Sequence, residues 1–252
     1  MCLLALAFNC STDYPFAFAG NRDEMHGRPS APAHWWNENS NVLGGRDLEA
    51  GGSWLGVSRT GCFAVITNRP DVPIPGNEPR SRGNLVSEFL ITEPDTEQFS
   101  AQLTQQATEY AGFGLVFGSI EKLHYISQDT VPGKLQNTAL QNGLFGISNS
   151  AAENPWPKVS WLNEQLRLAL QSPAVTADDL LKLLGRREAV GSTEDNEIAG
   201  LPFILHPHFG TRASTVIMVD ASGHCQFVER SFDSHGRVSG EIRLGFDIEL
   251  AR

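Results

Sequence analysis

The chain passes from Met1-Cys2 straight into an apolar, strand-like stretch, Leu3 to Phe8, with no basic leader ahead of it. If Met1 is trimmed, Cys2 becomes the N-terminal residue and carries both a thiol nucleophile and a free α-amine. An α-amine titrates near about 7.7–8.0, far below a lysine amine, so it is able to take the thiol proton as general base. The same cysteine also reads as a small buried hydrophobe, because free Cys is among the most buried residue types.

At 252 residues the chain holds one large or two small domains and buries roughly 70–75% of its unfolded surface. Its four cysteines, Cys2, Cys10, Cys62 and Cys225, lack C-x-x-C spacing, so neither a zinc site nor a disulfide framework is expected. A formal charge of −10 argues against nucleic acid as a partner. No apolar stretch approaches the roughly 20 residues of a membrane span, and Leu3–Phe8 lacks the flanks of a signal peptide. The expectation is a cytoplasmic protein with reduced thiols, no nucleic acid and no membrane span. Nothing in the composition sets an oligomeric state.

Short strands are expected at Cys2–Asn9, Phe16–Asn21, Ser53–Ser58 and Cys62–Asn68, with Arg59-Thr60-Gly61 a hairpin turn. Arg28 to Asn41 reads as irregular, its Trp35-Trp36 pair covering a core edge or lining a cleft. After the proline-rich loop 69–83, helical spacing runs through Leu85, Phe89 and Leu90 and again from Glu97 to Tyr110. Strands return at Gly114–Ser119, Lys122–Ser127 and Leu144–Ser148. A helix starting at Pro157 presents Val159, Leu162, Leu166 and Leu170, and a second follows Thr176, which with Asp179 resembles a capping box. A polar stretch, 186–200, precedes strands at Ala213–Asp220, His224–Arg230 and Glu241–Ile248. Strands and helices in this order fit a layered α+β or α/β/β/α body, residues 1–252 forming a single domain.

Cys2 needs a group to hold its nitrogen, donors for an oxyanion and a positive charge near the sulfur. A strand at Phe16–Asn21 pairs naturally with the first as a hairpin and brings Asp23 beside Cys2, where a carboxylate accepts from an α-amine. Arg22 offsets local negative charge. The sequence Asn21-Arg22-Asp23-Glu24 also reads as a charged turn. Asn68 and Asn149 end apolar strands and suit either turn caps or neutral oxyanion donors, whose loss costs about 2.7–4 kcal/mol of barrier in comparable sites. Arg212, ahead of an apolar strand, favours a thiolate or binds a carboxylate, or is simply a solvated flanking charge. The His206-Pro207-His208 pair looks ligand-like, but the proline disrupts a helical i,i+4 pair and a loop His pair is more often surface than metal site, so no metal is assigned.

Met1-Cys2, Ala19 to Glu24, Gly51 to Gly56, Thr67 to Pro70, Arg82-Gly83, Gly146 to Asn149 and Gly210 to Arg212 together resemble the NRDE family, which includes the transport and Golgi organization protein 2 homologues. That family is in turn similar to N-terminal-nucleophile (Ntn) hydrolases of the penicillin acylase and bile-salt hydrolase type. The resemblance implies an Ntn hydrolase-like α+β fold, a four-layer αββα sandwich. It implies Cys2 as nucleophile, Asp23 as orienter of its amine, Asn68 and Asn149 as oxyanion donors, and Arg212 as the basic residue near the thiol. Asn21, Arg22 and Trp54 are expected to meet ligand. Those acylases carry Arg-x-x-Asp, whereas here Asn21 stands near the arginine's place and Arg22 adjoins Asp23.

Two functions follow from the resemblance and the site. One is a cysteine amidohydrolase that cleaves a non-peptide C–N amide bearing an apolar acyl group and requires no cofactor. The other is a non-catalytic carrier of haem or acyl-coenzyme A, binding a small apolar or amphipathic ligand on the same fold, with haem as cargo.

Overall fold

Alternation along the first strand shows how the sheet around it must be built. In the computed structural model, which describes residues 2–74, 79–131, 133–150, 152, 155–191 and 197–249, β1 (Cys2–Phe8) sends Leu3, Ala5 and Ala7 into one apolar cluster. Leu4, Leu6 and Phe8 alternate to the other face and are buried as well. A strand apolar on both faces belongs inside a sheet rather than at its edge, and β1 is paired on both sides. Met1, whose removal would make Cys2 the N-terminal residue, lies outside the described residues, as do 192–196 of the polar stretch and 75–78 of the proline-rich loop.

The chain forms two compact units, Met1–Arg28 with Gln141–Asp247 and Pro29–Leu140 with Ile248–Arg252. The first unit contains β1 and β2 (Phe16–Met25). The second contains β3 (Ser30–Trp35), β4 (Val42–Asp47), β5 (Leu55–Ser58), β6 (Cys62–Asn68), α1 (Gly83–Thr92), α2 (Thr96–Gln106), β7 (Phe113–Ser119), β8 (Lys122–Gln128) and β9 (Leu135–Ala139). The chain then returns to the first unit with β10 (Gly143–Ile147), α3 (Pro157–Ala169), α4 (Ala177–Leu184), β11 (Phe209–Val219), β12 (His224–Phe232) and β13 (Val238–Asp247).

The sheet of the first unit has the order β10-β1-β2-β11-β12-β13, antiparallel throughout. Helices α3 and α4 cover one face. Val159, Leu162 and Leu166 of α3 and Leu180, Leu181 and Leu184 of α4 pack on Leu3, Ala5, Ala7, Ala17, Ala19, Val216 and Met218. Four alanines on the strands leave room for the leucines of the helices. Each buried leucine contributes about 1.5–3 kcal/mol, and truncating one such as Leu162 costs about 2–5 kcal/mol. The start of α3 is set by Pro157 at its first position, and that of α4 by the expected capping box, with Thr176 and Asp179 each bonding the other's backbone.

The second unit is a seven-stranded antiparallel sheet in sequential order, β3 to β9. Phe89 of α1, Phe99 of α2 and Phe117 of β7 meet edge to face, with centroids 5.1–5.2 Å apart. Two of the sequence motifs touch here. The Gly52 backbone lies so close to Gly83 that any Cβ on Gly52 would strike the Gly83 carbonyl, and Ser53 N donates to Gly83 O at 3.1 Å.

Several elements differ from the sequence reading. Strands β3 and β4 occupy a segment expected to be irregular in part; Pro32 is tolerated because β3 is an edge strand. Of the tryptophan pair, Trp36 is core, with Nε1 donating to Gly44 O at 3.0 Å, while Trp35 lies under Arg59. β9 is polar and mostly exposed at the opposite edge, so it carries no apolar alternation. The second helix ends at Gln106 and tightens into a 3-10 turn over Ala107–Glu109. Most consequential is β2, which continues to Met25, so Asn21-Arg22-Asp23-Glu24 lies within a strand, paired with β11 throughout and with β1 as far as Arg22, and is not a turn.

Candidate active site

Pairing between β1 and β2 places Cys2 directly opposite Arg22 and Leu3 opposite Asn21. Cross-strand partners share a face, so the Arg22 side chain stands on the side of Cys2, and Asp23, one residue on, alternates to the side of the helices. Arg22 and Asp23 are both buried. Burial pushes the half-buried Cys2 thiol up, and the Asp23 carboxylate adds to that shift. The Asp23 backbone N–H and the Arg22 guanidinium act in the opposite sense, favouring the thiolate. Arg22 also meets Glu24 Oε2 at 3.7 Å.

The second wall of the site comes from the far end of β10. Leu4 pairs with Ile147, and continuing that register brings Asn149 level with Cys2. There the Cys2 backbone nitrogen donates to Asn149 Oδ1 at 2.9 Å, and Ser148 Oγ donates to the Cys2 carbonyl at 2.6 Å. Asn149 and Ser148 are buried. The backbone N–H of Cys2 is therefore held from the side by a buried carboxamide.

Asp23 is held by the next strand. Thr211 Oγ1 donates to Asp23 Oδ1 at 2.6 Å while accepting from Ile204 N at 2.9 Å, so the hydroxyl is fixed from both sides. Burial pushes the Asp23 carboxyl up, whereas the Lys158 ammonium and the Thr211 hydrogen bond pull it down. Lys158, in the first turn of α3, is fully buried, and burial lowers its ammonium while Asp23 and Cys2 raise it. Neither Thr211 nor Lys158 was singled out from sequence. A cation in the first turn of a helix opposes the helix dipole, and that misplaced charge was the available signal for Lys158.

Asn21 donates to Leu184 O and Pro202 O, both at 2.9 Å, and accepts from Ser214 Oγ at 2.6 Å. Its two amide hydrogens are thus committed to the end of α4 and the loop before β11. Arg212 occupies a β-bulge, where the β11–β2 register shifts between Thr211 and Ala213. The bulge aims its guanidinium at His26, with Nη1 3.2 Å from the His26 carbonyl oxygen. The arginine paired across from Cys2 is Arg22, one of the expected ligand contacts. Asn68 ends β6 in the second unit, opposite Phe113. Trp54, in the same unit, lies against Gly45, where its ring takes the space of a Cβ.

The fold of the chain resembles that of the conjugated bile acid hydrolase from Clostridium perfringens. The C2A mutant of that enzyme superposes with a TM-score of 0.53 at 11% identity, covering 98% of this chain and 92% of that one. A second variant gives 0.51 at 11% identity, covering 100% and 99%. At such identity the likeness speaks for the fold, which is that of the Ntn hydrolases, α+β with two large antiparallel sheets. In sequence, the mouse Transport and Golgi organization 2 homolog is 33% identical over 259 residues, 92% of this chain and 93% of the mouse protein. The human homolog is 31% identical over 257 residues with the same coverage. Residues 1–234 match the family model described as Transport and Golgi organisation 2. With the NRDE motif in place and nearly the full length of both homologues covered, the chain belongs to the transport and Golgi organisation 2 family.

Proposed function

We propose that the protein is an N-terminal-cysteine amidohydrolase acting on a non-peptide C–N amide with an apolar acyl group. The observation that carries this reading is the 2.9 Å bond from the Cys2 nitrogen to Asn149 Oδ1, with Arg22 opposite and the Asp23 backbone N–H beside the thiol. The structural neighbour named as a conjugated bile acid hydrolase supports the reaction class. With Met1 removed, the α-amine takes the Cys2 proton and the sulfur attacks the amide carbon. The tetrahedral oxyanion collapses, the C–N bond breaks and the leaving amine takes the proton. Water then cleaves the thioester and restores the thiol. Asp23 and Asn149 are assigned to hold the nitrogen. Asn149, and Asn68 from its motif, are the assigned oxyanion donors.

The test is hydrolysis of a panel of N-acyl amides by wild type, Cys2→Ala and Cys2→Ser, with intact mass reporting both Met1 removal and an acyl adduct. Loss of turnover and adduct in Cys2→Ala, with an unchanged thermal midpoint, is expected. Undiminished hydrolysis by that variant would falsify the assignment.

A second reading is favoured by one observation, the burial that pushes the Cys2 thiol up, since a protonated thiol is a poor nucleophile. On that reading the same fold is an intracellular carrier for haem or an acyl-coenzyme A. Titration of the purified protein with haem and with palmitoyl-coenzyme A tests it, and absence of saturable binding to both removes it.

A further inference from the structure

Glu24 closes the Asn21-Arg22-Asp23-Glu24 motif and shares a face of β2 with Arg22, since side chains two apart on a strand point the same way. That face is the one of Cys2, whose cross-strand partner is Arg22. Directly opposed residues on antiparallel strands hold their Cβ atoms about 4.5–5.5 Å apart, which sets the root of the arginine beside that of the cysteine. Glu24 stands one pleat further along, roughly 7 Å at about 3.4 Å per residue. Its carboxylate reaches back: Oε2 lies 3.7 Å from Arg22 Nη2, while Oε1 accepts from Met25 N at 2.9 Å. The side chain of Arg22 is 6% exposed and that of Glu24 27%, so water screens their attraction poorly. On β11 the residues paired with Arg22 and Glu24 are Ala213 and Gly210, which add no charge there.

We propose that Glu24 is a positioning residue of this site, its carboxylate drawing the Arg22 guanidinium outward along β2 and so limiting how much of that positive charge reaches the Cys2 sulfur. The inference rests on the reading of Cys2 as the nucleophile. A guanidinium beside a thiol favours the thiolate, which is the form that attacks. Arginine stays charged at any working pH, so its influence on the sulfur is set by where it is held. At 3.7 Å the contact with Glu24 is an ion pair rather than a closed hydrogen bond, and it biases the guanidinium without locking it. The motif thus places a cation opposite the nucleophile and, two residues on, the anion that moderates it.

The experiment is the pH dependence of Cys2 alkylation by iodoacetamide in the full-length chain, read by mass spectrometry of the N-terminal peptide. Every protein carries Cys10→Ser, so that this peptide reports one thiol. Wild type, Glu24→Gln, Arg22→Gln and the double variant are compared, with Asp23 and Lys158, which also act on Cys2, left unchanged. Glu24→Gln is expected to move the alkylation midpoint down by about half a unit or more, a gain of about threefold or more in rate on the acid side. Arg22→Gln is expected to move it up. In the Arg22→Gln background, where the double variant strands neither charge, the Glu24→Gln shift falls to less than half. A Glu24→Gln midpoint that stays or rises, or an Arg22→Gln midpoint that does not rise, overturns the proposal. So does a Glu24→Gln shift at least half as large without Arg22, because the carboxylate would then act on the sulfur directly. If Arg22→Gln does not fold, Glu24→Asp decides: the shorter arm withdraws the carboxylate and keeps its charge, so a downward shift is expected and a wild-type profile overturns the proposal. Alkylation needs no turnover, so an inactive wild type with these shifts would count against the amidohydrolase reading and leave this result standing.

Discussion

Asn149 Oδ1 accepts a hydrogen bond from the backbone nitrogen of Cys2 at 2.9 Å, across 147 residues of sequence. The β1–β10 pairing brings the two residues level, and Ser148 closes the same corner by donating to the Cys2 carbonyl. Position and orientation of the Cys2 nitrogen are therefore built into the sheet.

Replacing Asn149 by Leu removes the acceptor and leaves a buried N–H unmet, a loss of about 1–3 kcal/mol. Asn149→Asp keeps the acceptor and should cost less stability. Both should lose activity, Asn149→Leu by about a hundredfold or more if the carboxamide also serves the oxyanion. Thermal midpoints and turnover on the same preparations check the two effects separately.

Thr211→Val deletes the donor to Asp23 and the acceptor for Ile204 N while keeping the shape of the side chain. A stability loss of about 1–3 kcal/mol is expected, with Asp23 pushed further toward protonation. Thr211→Ser should restore both. Urea unfolding and the pH–rate profile of the three proteins decide it, and wild-type behaviour in Thr211→Val would count against the assigned role.

Asn21 ties β2 to the end of α4 and to Pro202 through both amide hydrogens. Asn21→Leu should destabilise the protein by roughly 2–4 kcal/mol, because two buried carbonyls and the Ser214 hydroxyl lose their partner. The expectation is a lowered unfolding midpoint. A variant with the wild-type midpoint but weakened ligand binding would instead support the expected ligand contact of Asn21.

The α4 cap carries a pH signature. The Thr176 side chain, then Lys182, hold the Asp179 carboxyl at about 2, below its ordinary value of 3.8. A carboxyl lowered by folding stabilises above its unfolded value and loses that contribution as pH falls through the folded one. Wild type should lose stability relative to Asp179→Asn between about pH 4 and about pH 2, with the two curves parallel above that window. Thr176→Ala should cost about 0.5–2 kcal/mol at neutral pH. Urea midpoints from pH 2 to 7 provide the check.

Much of the fold is legible along the chain because burial writes a local pattern. The apolar runs of β1, β6, β7 and β11 and the leucine spacing of α3 and α4 carry their own period. Strands β3, β4 and β9 do not, since a proline, paired glycines or an exposed edge erases the alternation. The motif Asn21 to Glu24 looks like a turn in isolation, because polar residues seldom fill a strand buried on both sides. Partners on β1 and β11 keep it extended.

Cys2, Asp23 and Asn149 could be named from residue type and strand-end position alone, because nucleophile, carboxylate and carboxamide chemistry belongs to the side chains themselves. Their relations could not be. Arg22 stands across from Cys2 because of the β1–β2 register, Arg212 meets His26 at a bulge in β11, and Thr211 joins Asp23 only when distant segments pack. Chemical capacity is a local property of a side chain, whereas the field and hydrogen bonds that tune it come from neighbours the chain supplies only on folding.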